Sequence, residues 1–490
     1  MNDEQALLAA IQSHPDEDTP RLAYADWLDE HARSEADRAR AEFIRTQIES
    51  ARLPADDDHR AELEDHAEKL LHAHQRDWLP PDPVWLALFY KWQRGFVAAL
   101  DPCSRGVFNG ENHLKDLAAF PLAEELNLSF CVADAEFRHM PDLPNLRSLD
   151  IGGNARITAD SVRRIGRWRT LRRLSLTGDT ITDAALPHLA QLNGLEELDL
   201  SYTRITDEGL QHLAPLTALR ALNLSRTALT ARGLRTVAAL PRLRKLILRD
   251  MHLGAAELNE LTRMPALEEL DMYDDLAARS LDSAFLAPLG DMPALRSLAL
   301  NGWADPSWPV PDRLQSLQRL RGLEELRLSG LELGDDGLAI VSELPHLTRL
   351  CYSSDNLTTA GFRVLEKASG LTALELNRTG ITDAGLAHLS ALKNLRWLDL
   401  WNNPVTDAGL HHLEALPALR VLVLDYSSVS DSGLHAIKLP SLRRFSARGT
   451  SVTQDGAWNR RAAWAPGLRD ACGEGWSVGS PSWARGERSW

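Results

Sequence analysis

Cysteine is scarce in this chain: the four present, Cys103, Cys131, Cys351 and Cys472, form no C-x-x-C pair and follow no metal-ligand spacing. They are expected as isolated small residues in a reducing cytoplasm, with neither a metal nor a cofactor. Long apolar runs are missing too. No stretch approaches the ~20 apolar residues of a membrane span, so no membrane association is expected. The amino terminus, MNDEQALLAAIQSHPDED, is acidic where a secretory signal is basic, and its apolar run is short and interrupted. Positive charge is also in deficit, with 54 Lys and Arg against 69 Asp and Glu and a formal net charge of -15. Phosphate backbones are bound by basic patches whose cations displace counterions, so this balance argues against a nucleic-acid partner.

Hydrophobic residues make up 44% of the chain and charged residues 25%, a balance that folds. From Leu146 onward one pattern, L-x-x-L-x-L, returns: LRSLDI at 146, LRRLSL at 171, LEELDL at 195, LRALNL at 219 and LRKLIL at 243. It continues as LEELDM at 267, LRSLAL at 295, LEELRL at 323, LTRLCY at 347, LTALEL at 371, LRWLDL at 395 and LRVLVL at 419, with a weaker LRRFSA at 442. Successive starts differ mostly by 24 residues, which is the signature of a solenoid.

Leucines at the first, fourth and sixth positions cannot share one face of a strand, so the strand begins after the first. Its fourth and sixth positions point into the core, and its third and fifth point outward. A short polar residue near the ninth position (Asn154, Thr203, Thr227, Asn403, Ser427) can hold the turning backbone. Next comes I-T-D-x-G-L or a variant: ITDAAL at 181, ITDEGL at 205, ITDAGL at 381, VTDAGL at 405, VSDSGL at 429. Thr or Ser suits a helix N-cap, and the Asp complements the positive end of the helix dipole. Leucines four apart in LPHLAQL and LAHLSAL give each helix one buried stripe. The expected architecture is an α/β right-handed solenoid, parallel strands inside and helices outside, whose repeats stack to about 60 Å along a concave inner edge at ~4.8 Å per strand.

These motifs resemble the ribonuclease-inhibitor-like class of leucine-rich repeats, and I-T-D-x-G-L is similar to the corresponding segment of F-box/leucine-rich-repeat proteins, over roughly residues 120 to 456. The resemblance implies a protein-binding scaffold.

Residues 1–50 read as a small helical domain of three helices, LLAAI, TPRLAYADWLDEH with Pro20 in its first turn, and ADRARAEFIRTQIES, followed by the amphipathic HRAELEDHAEKLLHAHQRDWL. The string LLAAIQSHPDEDTPRLAYADWLDEH with RAEFIRTQIE resembles the repeat-companion domain of certain bacterial proteins. That family has a Gly-Asp turn where this chain has HARSEADRARAEF, so a longer loop is expected there; the family brings no activity to carry over. Residues 51–120, with a strand FVAAL at 96–100, and the LAEELNL run at 122–128 are assigned to the connecting helix, the solenoid's cap and a first degenerate repeat. Residues 121–456 form the solenoid, and 457–490 a tail with five tryptophans whose role is open.

The recurring Thr-Asp pairs (Thr182-Asp183, Thr206-Asp207, Thr382-Asp383, Thr406-Asp407) are read as helix caps rather than a cation ladder. His188, His212, His388 and His412 occupy a solvated repeat position, with no carboxylates to complete a metal site. Trp27 is expected to pack the small bundle and Asp26 to face water or cap a neighbour, and Cys472 has no convincing base nearby in sequence. No acid, base and nucleophile cluster, so no enzyme is expected.

The outward positions of the strands beginning at 371, 395 and 419 carry Glu375, Trp397, Asp399, Trp401, Asp425 and Tyr426. Exposed aromatics among carboxylates have the composition of an interface hot spot, so these residues are expected to hold a protein or peptide ligand on the concave face. The competing reading is that the tail covers both tryptophans. Where starts lie 28 apart, at 267, 295 and 323, longer loops place Tyr273, Trp303 and Trp308 as secondary contacts. The alternative function is substrate recognition in a ubiquitin-ligase-like complex, although no F-box-like segment is evident. The sequence leaves the oligomeric state open.

Overall fold

The computed structural model describes residues 2–54, 57–79, 89–101, 114–251, 253–273, 286–301, 316–330, 333–354, 357–453 and 470–471. The chain divides into two compact units, Met1–Leu222 and Asn223–Trp490.

The first unit opens with helices α1 (Asp3–Ser13), α2 (Thr19–Glu30), α3 (Glu35–Arg52) and α4 (Asp58–Trp78). Their starts follow from capping chemistry: Asn2 and Gln5 form a reciprocal capping box at α1, Ser34 and Asp37 another at α3, and the Asp57 carboxylate accepts from the N–H groups of His59 and Arg60 at α4. Ile11, Tyr24, Ala25, Leu28, Ala41, Ile44 and Ile48 form the core, with Trp27 packed alongside. Residues 31–34 alone join α2 to α3, so the longer loop expected there is not formed.

Strand β1 (Phe89–Gln93), which the sequence pattern did not reveal, pairs antiparallel with β2 (Phe96–Asp101). The hairpin turns at Arg94 (φ 49°) and Gly95 (φ 84°). Gly95 is required twice over: its φ is left-handed, and a side chain there would overlap Ile44 of α3; its N–H donates to Gln47 Oε1 at 2.7 Å. Arg40 of α3 lies 4.9, 4.7 and 5.4 Å from the ring centroids of Trp78, Trp92 and Phe96, and burial lowers its pKa to about 10. The sheet continues in parallel from β2 through β3 (Glu125–Asn127), β4 (Ser148–Asp150), β5 (Arg173–Ser175) and β6 (Glu197–Asp199). The boundary between units falls within β7 (Ala221–Asn223).

The second unit carries β8 (Lys245–Ile247), β9 (Glu269–Met272), β10 (Ser297–Asn301), β11 (Glu325–Ser329), β12 (Arg349–Ser353), β13 (Ala373–Glu375), β14 (Trp397–Asp399), β15 (Val421–Val423), β16 (Arg444–Ser446) and β17 (Asp470–Ala471), paired in parallel. Leu298, Leu326, Leu350, Leu374, Leu398 and Leu422 stand in register and are fully buried. Each contributes about 1.5–3 kcal/mol relative to an exposed side chain. The architecture is the expected α/β leucine-rich-repeat solenoid with an N-terminal helical region.

Two features of the repeat depart from expectation. The helical segments are mixed: Asp383–Leu389 is α-helical, but Asp183–Gln191, with Pro187 inside it, and Leu410–Ala415 are 3-10 helices. The Thr-Asp pair is also more than a cap. Thr206 and Thr158 accept a cap hydrogen bond, whereas Thr182 and Thr382 do not.

The recurring role of the Asp is to hold the next repeat. Asp383 accepts the Thr406 N–H at 2.9 Å and the Thr406 hydroxyl at 2.6 Å, and Asp183 does the same for Thr206. Asp407 holds Ser430, Asp335 holds Thr358 and Asp134 holds Thr158. At four of these joints the clasp also restricts the motif glycine position, whereas opposite Asp134 that position is Ser161, whose hydroxyl donates to the same carboxylate. A methyl group at Gly209, Gly361, Gly409 or Gly433 would overlap the carboxylate of Asp183, Asp335, Asp383 or Asp407 respectively. Where the preceding repeat has Ala159 in place of the Asp, the glycine position is Ala185.

The ninth-position residues hold the turn as expected. Asn403 donates to the carbonyls of Leu376 (2.7 Å) and Leu400 (2.9 Å) while its Oδ1 accepts from the N–H groups of Thr379 and Ile381. Asn154 repeats this with Leu128, Ile151 and Val132. Cys131 is disulfide-bonded, which corrects the expectation of four isolated cysteines; Cys351 is a free thiol. Among the described residues no helix is long and apolar enough to cross a membrane, and no group of three or more His, Cys, Asp or Glu is disposed to hold a metal ion.

Candidate functional site

Strands β8 to β15 turn their leucines to the core, and β16 its Phe445, which leaves the third, fifth and seventh repeat positions on the opposite face of the sheet. Register aligns the fifth positions of β11 to β15 as Arg327, Cys351, Glu375, Asp399 and Val423. Trp397, at a third position, pairs across to Ala373 and Val421.

The structure brings Glu375, Trp397 and Asp399 together on adjacent strands β13 and β14. Trp401, Asp425 and Tyr426 are not strand residues as expected; they lie in the turns just beyond β14 and β15. The environment differs from expectation as well. Glu375 and Asp399, read from the sequence as solvent-facing, are 3% and 8% exposed. Trp397, Trp401 and Asp425 are half-buried, and Tyr426 is 57% exposed.

The cause of that burial also sets the electrostatics. Desolvation pushes the Glu375 carboxyl above its ordinary range, opposed by the nearby charge of Arg327 and a hydrogen bond with the Cys351 thiol. Asp399 is raised to about 7, first by desolvation and then by the negative charge of Glu375, with a further contribution from Asp425. Its Oδ1 accepts the Trp401 N–H at 3.0 Å. Asp425 Oδ1 accepts from the Ser446 hydroxyl and the Arg448 N–H.

Polar atoms on this face lack hydrogen-bond partners although they are buried: Glu375 Oε1, Asn377 Oδ1, Trp397 Nε1, and Nε and Nη2 of Arg448. Sequence reasoning missed Asn377 and Arg448. Both occupy the seventh position, the one that also carries Trp401 and Asp425, in the two flanking repeats.

Tyr426 and Asn402 stand at the eighth position with φ 58° and 54°, and Arg226, Asp250 and Arg378 do so at 52–54°. This left-handed conformation favours glycine, and Gly449 takes it one repeat later at φ 64°, beneath the Tyr426 ring. Tyr273 follows β9, half-buried, its N–H donating to Asp271 Oδ1 at 3.1 Å. Strands β10, β11 and β12 separate it from Glu375, so the two are not brought together. Trp303, Trp308 and the tail other than 470–471 lie outside the described residues.

A solenoid of strand–turn–helix repeats with an open polar sheet face is a class of binding scaffold. A family model described as a leucine-rich repeat region matches residues 127–386, and the chain belongs to that family. No curated protein matches it. Among solved structures it is similar to an internalin from Listeria monocytogenes, at 21% identity over 64% of this chain and 77% of that one, TM-score 0.36. It is also similar to TLR13 in a complex with ssRNA13, at 21% identity over 70% of this chain and 51% of that one, TM-score 0.47. A Leptospira interrogans leucine-rich-repeat protein matches at 16% identity over 71% of this chain and 89% of that one, TM-score 0.38. At these identities the likeness concerns the fold alone.

Proposed function

We propose that this chain is an interaction scaffold that binds a protein or peptide across the β13–β15 face and the turns that follow it. The observation that carries this reading is the clustering of unpartnered buried atoms there: acceptors on Glu375 and Asn377, donors on Trp397 and Arg448. Buried polar groups in folded proteins are nearly always paired, and a bound chain offers both N–H and C=O groups to complete them. Trp401 and Tyr426 supply aromatic anchors of the type that dominates interfaces. Tyr273, Trp303 and Trp308 remain secondary contacts in this reading.

The acidic balance of the chain favours a protein partner over nucleic acid. Residues 1–50 act as a bacterial repeat-companion domain and 51–120 as the cap, ahead of repeats of the ribonuclease-inhibitor-like class. The chain acts by binding rather than catalysis. No observation favours the ligase-receptor alternative. A disulfide at Cys131 suits an oxidising compartment better than the reducing cytoplasm expected from the sequence.

The test is affinity capture from a native lysate with the intact chain beside the Trp397→Ala/Trp401→Ala double variant. A protein retained by the first and lost by the second, with both melting at the same temperature, supports the face. Equal retention by both overturns it.

A further inference from the structure

Three carboxylates, Glu375, Asp399 and Asp425, stand on three successive repeats of one face. The charges acting on Asp399 are Glu375 and Asp425, both negative; its only relief comes from neutral donors, the Trp401 N–H and the Asn377 side chain. The nearby cations do not change this. Arg327, on β11, acts on Glu375 and Cys351 rather than on Asp399, and Arg349 is committed to Glu325 at 2.7 Å. Arg448 gives its backbone N–H to Asp425, while Nε and Nη2 of its guanidinium have no partner.

A second, independent feature points outward from this charge. Glu375, 97% buried by its 3% exposure, keeps Oε1 without a donor, and the Asn377 amide oxygen beside it is also unfilled. At the solvent edge Tyr426 is exposed and meets Trp401 edge-to-face. Unfilled acceptors, the paired carboxylates of Asp399 and Asp425 and aromatic faces together describe a receptor for a planar cation, which donates several N–H groups while its flat surface packs on a ring.

We infer that the ligand of this face is a basic peptide segment that places an arginine side chain over Asp399 and Asp425, against Trp401 and Tyr426. This rests on the binding reading proposed above and adds the chemistry of the partner. Lysine fits less well, because its compact ammonium is strongly hydrated and lacks the planar fork.

The test uses the full chain with two synthetic peptides, (Gly-Arg)4 and its citrulline counterpart (Gly-Cit)4, equal in shape and differing in charge, followed by calorimetry at low salt. The arginine peptide is expected to bind at least about tenfold more tightly. Asp399→Asn, nearly isosteric and checked by thermal melting, is expected to remove that preference, while the remote Glu208→Gln leaves it intact. Binding of the arginine peptide is also expected to weaken from about pH 8 to about pH 6 as Asp399 takes up a proton, and this dependence is expected to vanish in Asp399→Asn.

Equal binding of both peptides, or an arginine preference indifferent to Asp399→Asn, overturns the inference. If the double tryptophan variant still loses a captured partner in that case, the face reading stands and only the cation falls. Arginine preference governed by Asp399, without any captured protein, would separate the two in the opposite sense.

Discussion

The Trp401 indole meets the Tyr426 ring edge-to-face across two successive repeats, centroids 6.0 Å apart and planes at 78°. Tyr426 holds this position at φ 58°, a backbone conformation that costs a non-glycine residue roughly 1 kcal/mol. The exposed ring therefore opposes local backbone preference. Tyr426→Gly should raise stability by up to about 1 kcal/mol while weakening ligand capture. Chemical denaturation and capture measured on the same preparation check both halves; a loss of stability would show that the ring is a packing element.

The clasp between repeats makes a paired prediction. Gly409→Ala forces a methyl group onto the Asp383 carboxylate and should cost about 1–3 kcal/mol. Adding Asp383→Ala should recover part of that loss rather than add to it, because the chain already uses the combination at Ala159 and Ala185. A double-mutant cycle by urea unfolding measures the coupling, and simple additivity would refute it.

Asn403 is buried with both ends of its amide engaged in four hydrogen bonds to backbone groups of two repeats. Asn403→Ala strands those groups away from water and should destabilise by about 2–4 kcal/mol. Asn403→Asp keeps the shape but loses the donors to Leu376 and Leu400, so it should be no better tolerated. Thermal melting of the two variants distinguishes this from a simple loss of volume.

Asp399 also predicts a pH dependence. Its folded pKa, about 7, lies above the ordinary 3.8, so the folded state holds the proton more tightly than the unfolded state does. The group imposes no penalty below about pH 4; stability then falls as pH rises through the window to about 7, and the penalty is constant above it. The loss across the window is on the order of 4 kcal/mol. Subtracting the melting curves of Asp399→Asn from those of the parent chain isolates it, and a flat difference between pH 4 and 7 would contradict the burial assigned here.

Much of the fold was legible because its leucines mark one face and repeat at fixed distance: strands, turns and helix starts follow from period alone. The hairpin strand β1 was not legible, because FYKWQ lacks the repeat and forms only by pairing with β2. The site was legible as composition and not as environment. Alternation placed Glu375 and Asp399 outward, yet outward on a sheet is not the same as solvated, since neighbouring rows of side chains wall in the fifth position. The partner of each motif Asp was equally hidden: a carboxylate one residue after a capping Thr reads as part of its own helix, and only packing shows that it reaches the Thr of the next repeat.

That reach gives the array a direction. A repeat that carries the full motif offers an acceptor forward and a hydroxyl backward, so a duplicate of it inserted in frame brings both halves of a working joint, whereas a reversed or truncated unit brings neither. The joints are not equal. Ala159, Ala231, Ala255 and Thr359 stand where the Asp would be, so the junctions that follow them, those behind Thr182 and Thr382 among them, lack the clasp. These are the seams at which the stack is expected to breathe first under heat or load, and at which lineages can gain or lose repeats with least damage.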